Sequence, residues 1–219
     1  MTPILYIGNY NYSSWSMRPW LALRWAGLGF ETRVIKLGAD GYGYGTMPEI
    51  LAVSPSGTVP ALHLGDEVIN DSLAISEWAA EQHRALWPSD PLARAKARSI
   101  TCEMHSGFGN IRNTLPCNVR RRAAPRELSE GVLREVARLS KAWVGLRERF
   151  GQSGPYLFGT RTIADAFFTP MATRFRTYAV PLEAAAQQYV DTLLADPEFR
   201  EWESAAVQES WTIAESDAA

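Results

Sequence analysis

The sequence predicts an α/β domain followed by an all-helical domain, and three observations carry that reading. Over roughly the first 80 residues the hydropathy pattern changes about every ten, as short strands and helices do. Beyond about residue 90 the apolar period is helical throughout. Between them, Leu86-Trp87-Pro88-Ser89-Asp90-Pro91 holds two prolines and several turn formers, the composition of a linker. The expected division is residues 1–83, a connection over 84–91, and a helical domain over 92–219.

Pro3 to Ile7 is a short apolar run of strand formers, Ser16 to Ala26 is helical, and Glu31 to Leu37 alternates again. This is a β-α-β unit, which normally crosses over right-handed to a parallel strand. A short helical piece around Pro48 to Val53 follows the Gly- and Tyr-rich stretch Asp40 to Gly45. Pro60 to Leu64 and Glu67 to Ile69, separated by Gly65-Asp66, read as a hairpin, and Ser72 to about His83 as a closing helix. Downstream, Met104, Phe108, Ile111, Leu115 and Val119 form one helical stripe, and Val132, Val136, Leu139, Trp143, Leu146 and Phe150 a second. Both predict long core-facing helices packed side by side, joined through Arg120 to Arg126. Thr162 to Arg174, about Leu182 to Leu194, and Pro197 to Trp211 supply three more helical segments.

With 46% hydrophobic and 21% charged residues, the 219-residue chain is globular rather than disordered or fibrous. The 22 basic and 24 acidic side chains sum to −2, so the total charge points to no nucleic acid and no anionic membrane as partner. No apolar run approaches the roughly 18 residues that cross a bilayer, and Met1 to Gly8 lacks the pattern of a secretory signal. Cys102 and Cys117 are too few for a disulfide framework and lack zinc-site spacing, so a cytoplasmic protein without a metal is expected. Of the basic residues 19 are Arg and 3 are Lys, which reflects either composition or a need for guanidinium forks.

Three segments could carry chemistry. Tyr12-Ser13-Ser14-Trp15-Ser16-Met17-Arg18 lies between the first strand and the first helix, where hydroxyls sit beside the unpaired N–H groups of a helix start. An anion or thiolate is stabilised there, unless the serines only cap the helix. In Ser54-Pro55-Ser56-Gly57-Thr58-Val59-Pro60, a cis bond before Pro60 would turn the backbone of Val59 outward to pair with a peptide-like ligand; the alternative is an ordinary loop. At Asn70-Asp71-Ser72, Ser72 either caps the following helix or takes a ligand carboxylate while Asp71 takes an ammonium group.

In this order and spacing the three segments resemble those of a glutathione transferase, and the resemblance covers essentially the whole chain. Ser-Ser-Trp-Ser-x-Arg is similar to the Ser-Ser-Cys-Ser-x-Arg of the zeta class, which includes maleylacetoacetate isomerase; here Trp15 stands at the cysteine. Thr162-Ile163-Ala164-Asp165 resembles the family's buried N-capping box. The resemblance implies a thioredoxin-like domain followed by a helical domain, a homodimer, and glutathione as co-substrate. It implies Ser14 or Ser13 as donor to the glutathione sulfur. Trp15, Ser16, Thr58, Val59 and Pro60 would line the peptide, and Asp71 and Ser72 would hold its γ-glutamyl end. The reaction implied is attack of the activated thiol on a small electrophile, or glutathione-dependent cis–trans isomerisation of the maleylacetoacetate or maleylpyruvate type; the alternative is a non-catalytic glutathione-binding protein.

On the helix beginning near Arg98, His105, Gly109 and Arg112 lie four and three apart and so share one face. With Arg120 they are the candidates for binding an anionic second substrate; the alternative is a satisfied histidine and a solvated arginine run.

Overall fold

The computed structural model describes residues 2–38, 41 and 43–218. Alternating apolar residues give β1 (Ile4–Ile7), whose Leu5 and Ile7 are fully buried. After α1 (Ser14–Trp25), β2 (Glu31–Val34) returns parallel to β1. The one-turn helix α2 (Pro48–Leu51) precedes the antiparallel hairpin of β3 (Ala61–Leu64) and β4 (Glu67–Asn70). The sheet order is β2-β1-β3-β4, with β1 and β3 antiparallel, and α3 (Ser72–Gln82) packs beside α1. This is the thioredoxin-like domain the resemblance implies.

Leu86 and Trp87 are buried, and the Trp87 indole donates to Glu77 at 3.0 Å. Asp90 then caps α4 (Pro91–Ser106) by accepting from Ala93 N. The stripe from Met104 to Val119 is buried but does not form one helix. Gly107 is extended, with space for a Cβ closed by Glu103 O at 2.7 Å, and Phe108 takes a left-handed conformation (φ 61°). The chain resumes as the short α5 (Gly109–Thr114) and runs without helix to α6 (Glu130–Phe150). Apolar side chains at helical spacing fill the core here across a break, with α5 packed on α6 and α4 packed on α7 (Ile163–Thr177).

Helix α7 (Ile163–Thr177) is the centre of the molecule: all its residues but Arg176 are buried. It packs against α1, α4 and α8 (Ala184–Ala195), so one core cluster runs through both halves of the chain. α9 (Pro197–Gln208) ends three residues before Trp211, and a short α10 (Ala214–Ala218), not foreseen from the sequence, closes the chain. Among the described residues no helix is long and apolar enough to cross a membrane.

Asp165 fixes the start of α7. Its carboxylate accepts from Thr162 N (2.9 Å), Thr162 Oγ1 (2.7 Å), Leu157 N (3.1 Å) and Tyr189 Oη (2.8 Å), all without solvent. Asp165→Ala removes the acceptor of four buried donors, and urea denaturation should show a loss of about 3 kcal/mol or more. A loss below about 1 kcal/mol would contradict the anchoring role.

Candidate active site

The first helix begins where its serines place it. Ser13 is the N-cap: its Oγ accepts from Ser16 N (3.3 Å) and donates to Ser16 Oγ (2.8 Å), which also accepts from Gly8 N (3.1 Å). Both functions of the Ser13 hydroxyl are therefore engaged in holding the turn. Ser14 differs: its Oγ accepts from Arg174 Nη2 at 3.2 Å. With that lone pair occupied by a cation, its own hydrogen is the group left to donate.

Ser13, Ser14 and Trp15 form one wall of a cavity of about 490 Å³ between the two halves. The opposite wall comes from Thr58 and Val59, which precedes the cis Val59–Pro60 bond, and from Gly41, Gly43, Gly45 and Gly57. Gly57 is required: its φ is +68°, and a Cβ would lie 2.3 Å from Gly45 O. Asp40 and Tyr42 of the Gly- and Tyr-rich stretch lie outside the described residues. Arg112, Cys117, Arg174 and Ser216 complete the helical side. Ser16, Pro60, Asp71, Ser72, His105 and Arg120 do not line this cavity. Ser16 and Pro60 are buried behind it.

At the start of α3 the cap is Asp71, not Ser72: Asp71 takes φ 79° and its Oδ1 accepts from Leu73 N at 2.7 Å. Ser72 is 1% exposed, and its Oγ has no partner among the described residues. A buried free hydroxyl beside a carboxylate at a helix start suits a ligand carrying both a carboxylate and an ammonium group. His105 reaches the same place, with Nε2 3.5 Å from Asp71 Oδ2 and its ring edge-on to Trp15 at 5.2 Å. Burial holds the His105 imidazole below its ordinary proton affinity; Asp71 opposes this, and Arg18 and Arg112 reinforce it.

His105 and Arg112 belong to different helices, so the spacing argument does not join them. Arg112 instead folds back on the end of α4, donating to the carbonyls of Gly107 (2.8 Å), His105 (3.2 Å) and Met104. Burial and the nearby Arg174 push its pKa down to about 10, so it stays charged at neutral pH. Arg120 does not line the cavity. Its guanidinium donates to Tyr12 Oη (3.1 Å), Trp211 O (2.9 Å) and Glu209 O, tying down the C-terminal segment. Arg121 donates to Asp217 O and Arg126 to Thr114 O, so the run is neither a substrate rim nor a free solvated turn.

Two further cations bear on the site: Arg174, which lines the cavity, and Arg18, which packs on the lining residue Trp15. Arg174 closes a segment that the sequence marks only as helical. Arg18 was a motif position with no role, yet its guanidinium lies 4.2 Å from the Trp15 ring centroid. Only that shared motif position could have drawn attention to it. Among the described residues no group of three or more His, Cys, Asp or Glu is placed to hold a metal ion.

Comparison with known proteins gives consistent results. Residues 12–82 match the glutathione S-transferase N-terminal domain and residues 122–205 the glutathione S-transferase C-terminal domain. The chain is 30% identical over 203 residues to a maleylacetoacetate isomerase of Pseudomonas aeruginosa, covering 88% of this chain and 92% of that one. It is 29% identical to a maleylpyruvate isomerase of Ralstonia sp, covering 79% and 84%. A glutathione transferase homolog from Burkholderia, solved with bound glutathione, has the same fold, with TM-score 0.68 and 23% identity over 95% of this chain and 100% of that one. An omega glutathione transferase of Trametes versicolor in complex with 2,4-dihydroxybenzophenone gives TM-score 0.72 and 21% identity over 100% and 99%.

Because His105 binds its proton more weakly when folded than when unfolded, the unfolded chain takes up more protons as pH falls through the ordinary histidine value near about 6.5. Stability contributed above that pH is lost on acidification. His105→Gln should flatten this part of the stability profile, measured by urea midpoints at successive pH values; an unchanged slope would show that His105 is not its source.

Proposed function

We propose that this chain, which belongs to the glutathione S-transferase family, activates the glutathione thiol at Ser14 and adds it to a small anionic electrophile. The observation that carries this reading is the Arg174–Ser14 hydrogen bond at the cavity wall. A free thiol has a pKa of about 8.5 and is mostly protonated at neutral pH. Ser14 lowers that value by donating to the sulfur, and Arg174 polarises the hydroxyl from behind while adding positive charge. Both act at the N-terminal end of α1, whose unpaired N–H groups favour an anion.

The remaining binding roles belong to the same proposal. Val59 offers its backbone to the cysteinyl residue of glutathione, Ser72 its free hydroxyl to the γ-glutamyl carboxylate, and Asp71 its carboxylate to the ammonium group. Arg112 faces the second substrate, presenting one edge of its guanidinium while the rest holds the end of α4. The domain assignment is a glutathione-binding domain over residues 1–83, a connection over 84–91 and a substrate domain over 92–219. The family's dimeric form and a cytoplasmic location complete the proposal.

A second reading has its own support. Arg112 and Arg174 line one cavity, and relatives bear the names maleylacetoacetate and maleylpyruvate isomerase. A carboxylate held there beside an activated double bond would allow the thiol to add, the former double bond to rotate, and the thiol to leave. No metal is needed for either outcome.

Ser14→Ala should lower kcat/KM for glutathione by about 10- to 100-fold, the worth of a hydrogen bond to a charged group. Ser13→Ala should cost about 1 kcal/mol of stability as a lost N-cap and leave the bound thiol's pKa nearly unchanged. The reverse pattern would assign the sulfur to Ser13. Retention of glutathione without turnover of any electrophile or cis-enone acid would favour a binding protein.

A further inference from the structure

Arg18 is 0% exposed, and its Nε, Nη1 and Nη2 have no hydrogen-bond partner among the described residues. It lies one helical turn beyond Ser14 on α1, so both belong to the same side of the helix. Its guanidinium is sandwiched between two rings, 4.2 Å from the centroid of Trp15 and 5.0 Å from that of Phe167. Trp15 lines the cavity, whereas Arg18, packed on the Trp15 ring, does not.

A charge removed from water needs an opposing charge, and fixed polar neighbours normally supply it. Here the titratable neighbours are Arg112 and Arg174, of the same sign, Asp71, and Cys117, whose burial keeps its thiol protonated. Asp71 is already engaged with His105 and with Leu73 N. Burial and the two arginines lower the proton affinity of Arg18 well below its ordinary value, but a guanidinium starts so high that it keeps its charge at neutral pH. Asp71 offsets this charge only in part, so a buried positive field remains beside Trp15, where the enclosed surroundings screen it less than bulk water would.

Building on the thiol activation proposed above, we infer that Arg18 is the buried electrostatic partner of the glutathione thiolate, a positioning residue that acts across Trp15 without touching the sulfur. Ser14 supplies the hydrogen bond and Arg18 the long-range charge. Trp15 keeps water from screening that charge, a function the indole can perform and a smaller side chain there cannot.

Arg18→Met retains an unbranched apolar stem between the two rings and removes the charge; Arg18→Lys retains the charge. The readout is the ultraviolet thiolate band of glutathione bound to each protein, followed across pH. With an effective dielectric of about 20, a unit charge about 10 Å away changes proton affinity roughly tenfold. The bound thiol's pKa is expected to rise by about one unit in Arg18→Met, with activity lost at neutral pH and recovered at alkaline pH, and to return most of the way in Arg18→Lys. A wild-type titration in Arg18→Met overturns the inference while the role of Ser14 stands. Should Arg18→Met fail to fold, Trp15→Leu decides: at a position 39% exposed it admits water beside Arg18, and the thiol pKa should rise in the same direction. An unchanged value there also overturns the inference. If wild-type protein leaves the bound thiol titrating like free glutathione, the thiol-activation reading falls too.

Discussion

Arg174 donates through Nε to Leu115 O at 2.9 Å, through Nη1 to Pro170 O at 3.2 Å, and through Nη2 to Ser14 Oγ at 3.2 Å. One buried guanidinium thus joins the end of α5, the body of α7 and the start of α1. The rest of the site depends on this junction, because α7 is itself held at its other end by Asp165 and enclosed by α1, α4 and α8. Ser14 is consequently placed by the most enclosed element of the molecule and not by the loop that precedes it. A hydroxyl required to meet one atom of a bound peptide gains most from such support, since small errors of position weaken a directional bond.

Legibility in the sequence followed the range of the interactions. The β1-α1-β2 unit, the β3–β4 hairpin and the Thr162–Asp165 box are written in side chains a few positions apart, and local patterning identifies them. The α4–α5 break is not local. Phe108 keeps its place in the apolar stripe while Gly107 and its own left-handed backbone end the helix, so periodicity reads straight through. Ser14 and Arg174 are 160 residues apart, and nothing near either one distinguishes a ligand-facing serine from a capping one. The two hydroxyls became distinguishable only through their partners. α10 was equally invisible, since the Ile213 side chain that leads into it packs with Leu37, Met47 and Ile50 from the other domain.

The arginine excess has two physical uses here. Arg120, Arg121 and Arg126 satisfy backbone carbonyls of irregular segments, and Arg120 serves two such carbonyls and a phenol at once. A guanidinium can do this because its five donors are fixed in a plane; a lysine would present one compact charge. The resulting clamp, together with Asp217 accepting from Tyr12 and Asn118, holds the chain's last residues where Ser216 forms part of the cavity wall. Arg18, Arg112 and Arg174 form the other set: Arg112 and Arg174 depress the proton affinity of Arg18, and Arg174 that of Arg112. Keeping three like charges together is unfavourable, Asp71 offsets them only in part, and an anionic ligand of the kind proposed would relieve the remainder.

That preference bears on which reaction the proposed thiolate performs. Conjugation and isomerisation share the attack on an electrophilic carbon and differ in the fate of the adduct. A conjugate leaves with its thioether intact, whereas an isomerase must keep the adduct in place while the former double bond rotates and then expel the sulfur. Retention favours a carboxylate-bearing substrate gripped by fixed cations, and expulsion favours a sulfur that is stable as a thiolate. Positive charge at the sulfur position serves the second need as directly as it serves activation, because a stabilised thiolate is both available for attack and a better leaving group. Trp15, where the zeta motif has cysteine, puts an indole in place of a thiol at the wall, with the Arg18 guanidinium packed on its ring. On this reading, the substitution leaves the addition and elimination steps with a single sulfur, that of glutathione.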